Sequence, residues 1–419
     1  MSYIPAIPAD PAFRRLWFAN LAANGGEQLA LAAIPLMAAL ALGATPEQMG
    51  GLSALQTLPY LLLSLVAGIW ADRFPRHWLM AGSEAVRALL LLWLPLLAFT
   101  GWLGLAGLAV LGFALSAATV LFNVAAQAYL PALVGREGLA RANARLEFAR
   151  AAAVFLGPGL AGMVAGWTSP AAALAVSGVT SALAAWLLAA PMMRRDVPQA
   201  QSGLPIGRAL AEGFTLVWRH ALLRAIAGCA MAWNFSWFVL MAVLVLFATN
   251  DLRLTPAQIG FALGAQGLGM LLATVCMPFI HASLRLGTMI LLGPAMSVFA
   301  ALSVGGATLL QGMGAFAALC AGFFLFGFGP MLWTIGQTSL RQAIVPARLI
   351  GRVSAIQQVA TLGMRPLGAL AGGWVGGQYG LTAAIWLAVA GYGVQLAVIL
   401  LSPMPYLSEL PEALAEETA

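Results

Sequence analysis

The sequence predicts an all-α membrane protein of twelve transmembrane helices arranged as two pseudo-symmetric six-helix bundles. Three observations carry that expectation. The 419 residues are 62% hydrophobic and only 8% charged, with a mean hydropathy of +0.91. A soluble domain keeps about 25% charged residues to cover its surface, so this surface has to face lipid. Apolar runs of the ~20 residues that a bilayer core demands recur along the whole chain. The two halves also repeat each other at an offset of 210 residues, Thr45 falling on Thr255.

Taken in order, the apolar runs lie near 16–42, 48–71, 78–99, 103–129, 146–168 and 170–192, then 223–248, 256–280, 286–308, 312–338, 352–378 and 381–402. Short stretches rich in turn residues separate them, among them "GATPEQMG", "TGWLG", "WTSP", "LQGMG" and "QYGLT". Arg14, Arg15, Arg73, Arg76, Arg136, Arg141, the stretch from Arg194 to Arg224, Arg285 and the stretch from Arg341 to Arg352 all fall on one side. The opposite loops hold almost no basic residue except Arg253. The excess of basic residues in cytoplasmic loops then puts both termini in the cytoplasm, for a multi-pass protein of the inner (cytoplasmic) membrane. The expected organisation is a six-helix bundle over 1–192, a central cytoplasmic loop over 193–222, a second bundle over 223–404 and a cytoplasmic tail over 405–419. In the central loop, Leu210, Phe214 and Trp218 recur every fourth residue between arginines, the pattern of an amphipathic helix at the membrane interface.

The repeat keeps residues that chance does not easily align. "TPEQMG" at 45–50 falls on "TPAQIG" at 255–260, Gln56 on Gln266, Asn24 on Asn234 and Gln127 on Gln337. "LAG" at 160–162 falls on "LAG" at 370–372, and Gly166 on Gly376. Parallel six-helix repeats about an axis along the membrane normal are a transporter plan, with substrate held near midplane between the halves.

Several function classes are excluded. The formal charge of +6 is spread among loops and forms no nucleic-acid patch. Cys229, Cys276 and Cys320 lie far apart in apolar runs and imply neither a disulfide framework nor a metal pair. His77, His220 and His281 are equally scattered, so no metal site is expected. No phosphate-binding glycine loop appears, no nucleophile–base constellation points to an enzyme, and no cofactor is implied. The N-terminus lacks the pattern of a cleaved signal peptide.

After the second run comes "GIWADRFPRHW", with Gly68, Asp72, Arg73 and Arg76. This resembles the G-x-x-x-D-R-x-x-R loop of the major facilitator superfamily, with Pro75 where that pattern usually has glycine. "AYLPALVGREGLARANA", "LGPGLAG" and "EGFTLVWRHALLR" further resemble the branch that holds bacterial drug–proton antiporters and the enterobactin exporter. The resemblance covers nearly the whole chain and implies the major facilitator fold. It also implies a cytoplasmic gate at Gly68, Asp72, Arg73 and Arg76, in which the charged clasp contacts the opposite half and the glycine permits close helix approach. Gly157, Pro158 and Gly162 approximate the antiporter motif of the fifth helix, where small residues let two backbones pack closely. The fourth run lacks the arginine common in drug–proton antiporters, and the second copy of the loop, "MPFIHASLRLG", has lost its Asp-Arg pair.

The residues expected to carry chemistry are polar groups inside apolar helices. Glu27 lies ten residues past Trp17, which is about 15 Å along a helix and close to midplane. Asn20, Asn24 and Glu27 share one helix face at i, i+4 and i+7. A charge there costs at least ~2.5 kcal/mol on insertion scales. Burial favours the neutral carboxyl, which suits a group that loads and unloads a proton. Glu27 is therefore either a proton-coupling residue, a counter-charge for a cation, or a protonated or paired structural group. Gln357, Thr361 and Arg365 form a second polar stripe, and Arg365 has to meet an anion: Glu27, a cargo carboxylate or cavity water. Trp233, Asn234, Trp237, Trp333 and Gln337 mix aromatics with amides, as a site for amphipathic ligands would. Any one of the aromatics is also at home in a core or facing lipid, whereas Asn234 and Gln337 need buried partners, and Asn123 and Gln127 belong with these amides. Glu84 with Arg87, and Glu147 with Arg150, read as gating or structural ion pairs near helix ends.

The expected function is secondary active export of a small amphipathic, drug-like molecule by proton-coupled alternating access. The alternatives are a dedicated exporter of a siderophore or anionic metabolite and, in another class, a membrane sensor or lipid-handling protein that cycles no protons. The expected partners are the lipid bilayer, the small-molecule cargo and protons, with no nucleic acid, and the chain is expected to act as a monomer.

Overall fold

In the computed structural model of the chain, residues 10–190, 193, 206–346, 349–408 and 411 are described. Every regular element among them is helical. In order these are α1 Pro11–Leu36, α2 Pro46–Arg73, α3 Arg76–Phe99, α4 Leu105–Trp167, α5 Pro170–Leu188 and α6 Ile206–Arg219, then α7 Ala221–Leu246, α8 Pro256–Ser283, α9 Leu286–Gly306, α10 Met313–Ile344, α11 Ile350–Tyr379 and α12 Leu381–Leu400.

Local chemistry explains where several helices start. Asp10 caps α1 by accepting from the Ala12 N–H at 2.9 Å, with Pro11 at the first helical position. Ser169 and Pro170 do the same for α5. The 210-residue repeat is written into the backbone. Helix α2 and helix α8 begin and end 210 residues apart, as do α1 and α7, and each of the latter pair runs into a five-residue π-helical turn, Met37–Ala41 and Phe247–Asp251. Both copies of the Thr-Pro-x-Gln sequence close a capping box: the Thr45 and Thr255 N–H groups each donate to the glutamine carbonyl three residues on, at 2.9 Å. Just before them the chain turns through left-handed backbone, at Gly43 (φ 62°) in one copy and Arg253 (φ 56°) in the other.

Nine stretches among the described residues are long and apolar enough to cross a membrane, two of them within α4, at Leu105–Pro131 and Arg141–Trp167. The segment between those two, expected from sequence as a connection, is helical, so α4 is assigned as one helix. Its alanines, leucines and arginines are good helix formers. The three remaining long helices, α1, α2 and α11, are less apolar because they carry the polar side chains singled out above. Large apolar residues are widely exposed, as lipid contact requires, and Trp102 and Trp167 stand at helix ends at 84% and 77% exposure, where interfacial tryptophans belong.

The chain divides into two compact units. The first comprises Met1–Ala44, Leu55–Gln201 and Thr255–Gly264. In it α1 packs against α4 and α5, and α3 packs against α5 and α4. Phe13, Leu16, Met80, Phe122 and Tyr129 form its core, and the Tyr129 hydroxyl donates to the Met193 carbonyl at 2.9 Å. Close backbone approach holds these helices together. The Ser177 hydroxyl of α5 donates to the Gly26 carbonyl at 2.5 Å, and a Cβ on Gly162 of α4 would stand 3.0 Å from the Gly260 Cα of α8.

The second unit comprises Thr45–Ala54, Ser202–Leu254 and Ala265–Ala419. Helix α7 packs on α11 and α12, α9 on α10 and α12, and α6 on α11 and α7. Gly368 and Gly372 of α11 meet the backbone of Phe235 and Val239 on α7, and Gly373 meets Gly50 at the head of α2. Within α6, Leu216 and Val217 are buried in the unit's core while Phe214 and Trp218 stack on each other with rings 6.0 Å apart and stay exposed. The Leu210 side chain lies outside the described residues.

Candidate functional site

Helices α7, α10, α11 and α12 of the second unit enclose a cavity of about 500 Å³. From α7 it is lined by Ile226, Ala230, Trp233 and Asn234, and from α10 by Pro330, Trp333, Thr334, Gln337 and Arg341. Helix α11 contributes Ser354, Gln357, Gln358, Thr361, Leu362 and Arg365, and α12 contributes Gln395. Seven of the expected cavity residues thus converge: Trp233, Asn234, Trp333, Gln337, Gln357, Thr361 and Arg365.

Two guanidinium groups organise this cavity. Arg365 Nε donates to Asn234 Oδ1 at 3.1 Å, and its guanidinium lies 5.5 Å from the Phe238 ring centre. Asn234 in turn donates to the Ala230 carbonyl at 2.9 Å, which fixes its amide with the oxygen toward the arginine. Arg341 Nη1 donates to Gln357 Oε1 at 2.6 Å. A guanidinium has no acceptor, so Gln357 turns its oxygen to Arg341 and its NH₂ elsewhere. Trp233 stacks on Trp237 with rings 5.3 Å apart, and Trp237 packs in T-shaped contact with Phe323 and Phe326. Trp237 therefore braces Trp233 from behind and does not line the cavity.

Five polar atoms of cavity residues are buried without a hydrogen-bond partner among the described residues: Trp233 Nε1, Gln337 Oε1, Arg341 Nε, Gln357 Nε2 and Gln395 Oε1. Each such group costs about 1–3 kcal/mol if left dry. Donors and acceptors both wait at this one place, which suits a wet, ligand-binding space.

The first unit holds the other expected residues. Asn20 and Asn24 of α1 donate back to the carbonyls of Leu16 and Asn20, at 2.9 and 2.7 Å. Asn123 is half-buried on α4 and Gln127 is exposed. Glu27 is half-buried on α1. Glu84 and Arg87, read from sequence as a pair near a helix end, form a fully buried ion pair at 2.5 Å on α3. The Glu147–Arg150 pair on α4, at 2.8 Å, is solvent-exposed.

At the end of α2, Arg73 is exposed and Arg76 donates to the Ala71 carbonyl at 3.1 Å, while the Asp72 side chain lies outside the described residues. The expectation that Gly68 serves close helix approach is corrected: a Cβ there would meet no described atom within 4 Å. Gly157 and Gly162 do sit at close contacts, with Gln28 of α1 and with Pro256 and Gly260 of α8, and the Pro158 carbonyl faces Gly260.

Five polar cavity residues escaped the sequence reading: Thr334, Arg341, Ser354, Gln358 and Gln395. A signal existed for Gln395, a lone amide in the apolar run "GYGVQLAVIL" and 2% exposed. Arg341 had none, because a basic residue at a helix end is what membrane topology already explains.

This helical, membrane-spanning architecture with a polar cavity inside one unit is that of a solute transporter. The Major Facilitator Superfamily model matches residues 16–236, and the chain belongs to that family. The multidrug efflux pump Tap of Mycolicibacterium fortuitum is 26% identical over 387 residues, covering 87% of this chain and 89% of that one. The uncharacterized MFS-type transporter YvqJ of Bacillus subtilis is 30% identical over 239 residues, 54% of this chain and 56% of YvqJ. Among solved structures, a bacterial homologue of the iron transporter ferroportin in its inward-facing state superposes with a TM-score of 0.70 at 17% identity, covering 93% of this chain and 98% of that one. The nucleoside transporter NupG does so with a TM-score of 0.73 at 12% identity, over 93% and 98%. These two share the fold.

Proposed function

We propose that this chain is a proton-coupled exporter of small amphipathic, drug-like molecules, working by alternating access as a monomer in the inner membrane. In this reading twelve transmembrane helices form two pseudo-symmetric bundles, residues 1–192 and 223–404, joined by the cytoplasmic segment 193–222, with both termini cytoplasmic. The match in bounds between α1 and α7 and between α2 and α8 supports it, as does the presence of two membrane-length apolar stretches in α4. Glu27 takes a proton from outside and releases it to the cytoplasm as cargo loads. Gly68, Asp72, Arg73 and Arg76 act as the cytoplasmic gate.

The cavity of the second unit is the observation that carries this proposal. Trp233 and Trp333 offer flat apolar area, while Asn234, Gln337, Gln357 and Thr361 offer hydrogen bonds of both senses. That mixture suits molecules with an aromatic body and a polar edge, and the efflux activity in the name of the relative Tap supports the direction. A second reading, export of a siderophore or other anionic metabolite, is favoured by one observation. Arg341 and Arg365 both line the cavity, and no carboxylate does among the described residues.

Transport into inverted membrane vesicles tests the proposal with a cationic, a neutral and an anionic aromatic compound. Accumulation that collapses when the pH gradient is discharged, and that is lost in Glu27→Gln, is expected. Accumulation indifferent to both would contradict proton coupling.

A further inference from the structure

The helices around the cavity of the second unit, α7, α10, α11 and α12, contain no aspartate or glutamate but four arginines: Arg224, Arg341, Arg352 and Arg365. Three of these are engaged. Arg224 donates to the Trp218 carbonyl at 3.0 Å and closes the end of α6. Arg352 pairs with Glu212 of α6. Arg365 is held by Asn234 and lies over the face of Phe238. Arg341 meets only a neutral acceptor, Gln357 Oε1, and its Nε is buried without a hydrogen-bond partner among the described residues.

Because Gln357 gives its oxygen to Arg341, its NH₂ group is a donor, and Nε2 is buried with no partner among the described residues. Two unmet donors, one of them charged, thus sit on side chains already joined at 2.6 Å. With Nη1 spent on Gln357, the Nε edge of the guanidinium remains, and that edge offers a carboxylate two parallel N–H donors. Gln337 lies one helical turn before Arg341 on α10. Its Nε2 donates to the Thr334 carbonyl and the Thr338 hydroxyl, which leaves its buried Oε1 as an unmet acceptor. A guanidinium among apolar helices stays charged at any relevant pH and is costly without a counter-charge. A bound anion offsets that cost, whereas a cation meets repulsion.

We propose that Arg341 and Gln357 form a carboxylate subsite of this cavity, and that the cargo is an aromatic acid. The carboxylate takes the Nε edge of Arg341 and the NH₂ of Gln357. The aromatic body lies against Trp233 and Trp333, and an O–H or N–H group on it donates to Gln337 Oε1. Gln357 and Arg365 are eight residues apart on α11, about 12 Å along the helix. The carboxylate subsite therefore stands toward one end of the cavity and Arg365 toward the other. The subsite rests on the cavity being the cargo site, as proposed above, and is independent of proton coupling and of the direction of transport.

Isothermal titration calorimetry on the purified protein in lipid nanodiscs tests it with naphthalene-2-carboxylate and the neutral naphthalene-2-carboxamide. Wild type is expected to bind the carboxylate about ten-fold more tightly than the carboxamide. Arg341→Gln is expected to erase that preference, weakening the carboxylate about ten-fold and the carboxamide by less than about two-fold. Gln357→Glu keeps the arginine but supplies it with an internal carboxylate. It too is expected to erase the preference, and it decides the matter should Arg341→Gln fail to fold. Arg365→Gln is expected to weaken both compounds and keep their ratio. A preference that survives Arg341→Gln or Gln357→Glu, or one lost only in Arg365→Gln, would overturn the subsite. Equal binding of the two compounds by wild type would overturn it as well and leave the cavity as a site for neutral aromatics. Binding of neither would contradict the reading of the cavity as a cargo site, and the subsite with it.

Discussion

A guanidinium inside a membrane helix has to be met by something, and the two in the cavity are met differently. Arg365 is held by Asn234 and the face of Phe238, whereas Arg341 has the neutral oxygen of Gln357. Arg341 is thus well suited to receive an anionic group of the cargo. Replacing it with glutamine is expected to weaken binding of an aromatic carboxylate by about ten-fold, the scale of a charge-assisted hydrogen bond. A neutral analogue should change by less than about two-fold; tryptophan fluorescence quenching reads both. Gln395 carries a buried, unpartnered carbonyl. Gln395→Leu is expected to stabilise the fold by roughly 1 kcal/mol in thermal melts while lowering cargo affinity. Much of this chemistry was legible at the residue scale, because Glu27, Asn234 and Arg365 stand out against apolar runs. Arg341 did not, since a charge near a helix end is ordinary in membrane proteins, and Glu84 and Arg87 were legible only as an ion pair. Only tertiary packing reveals that Glu84 is wholly enclosed.

At the scale of elements, the repeat is where sequence and structure speak most alike. Matched capping boxes open α2 and α8, and matched left-handed turns precede them. The second turn uses Arg253 where the first uses Gly43, and a side chain in that conformation costs about 1–2 kcal/mol. Arg253→Gly is therefore expected to raise the melting temperature. Glycines divide into two kinds that sequence alone cannot separate. Gly162 and Gly260 meet backbone, so Gly162→Leu is expected to destabilise by about 1–3 kcal/mol or to block folding. Gly68 faces open space, so Gly68→Ala should leave the melting temperature unlowered. The motif that contains Gly68 resembled its family counterpart closely, but resemblance fixes a residue's identity and not what lies beside it. The grouping of the heads of α2 and α8 with different units was equally invisible in the sequence, because it arises from contacts between residues far apart along the chain.

Across the whole molecule, the proposed division of labour is physical. The first unit contains Glu27 and the buried Glu84–Arg87 pair, and the second contains the aromatic and amide-lined cavity with its arginines. Protons and cargo would then be handled by different residues, and coupling would pass through conformation rather than through direct competition for one side chain. Two consequences follow for Glu27→Gln: cargo affinity in the cavity should stay within about three-fold of wild type, and the pH gradient should no longer drive accumulation. The most direct measurement is therefore made on wild type and Glu27→Gln side by side in proteoliposomes, following an aromatic compound with and without an imposed pH gradient. Gradient-driven accumulation in wild type, with gradient-independent exchange surviving in Glu27→Gln, is the expected result. Equal gradient-driven accumulation by both would contradict proton-coupled export through Glu27.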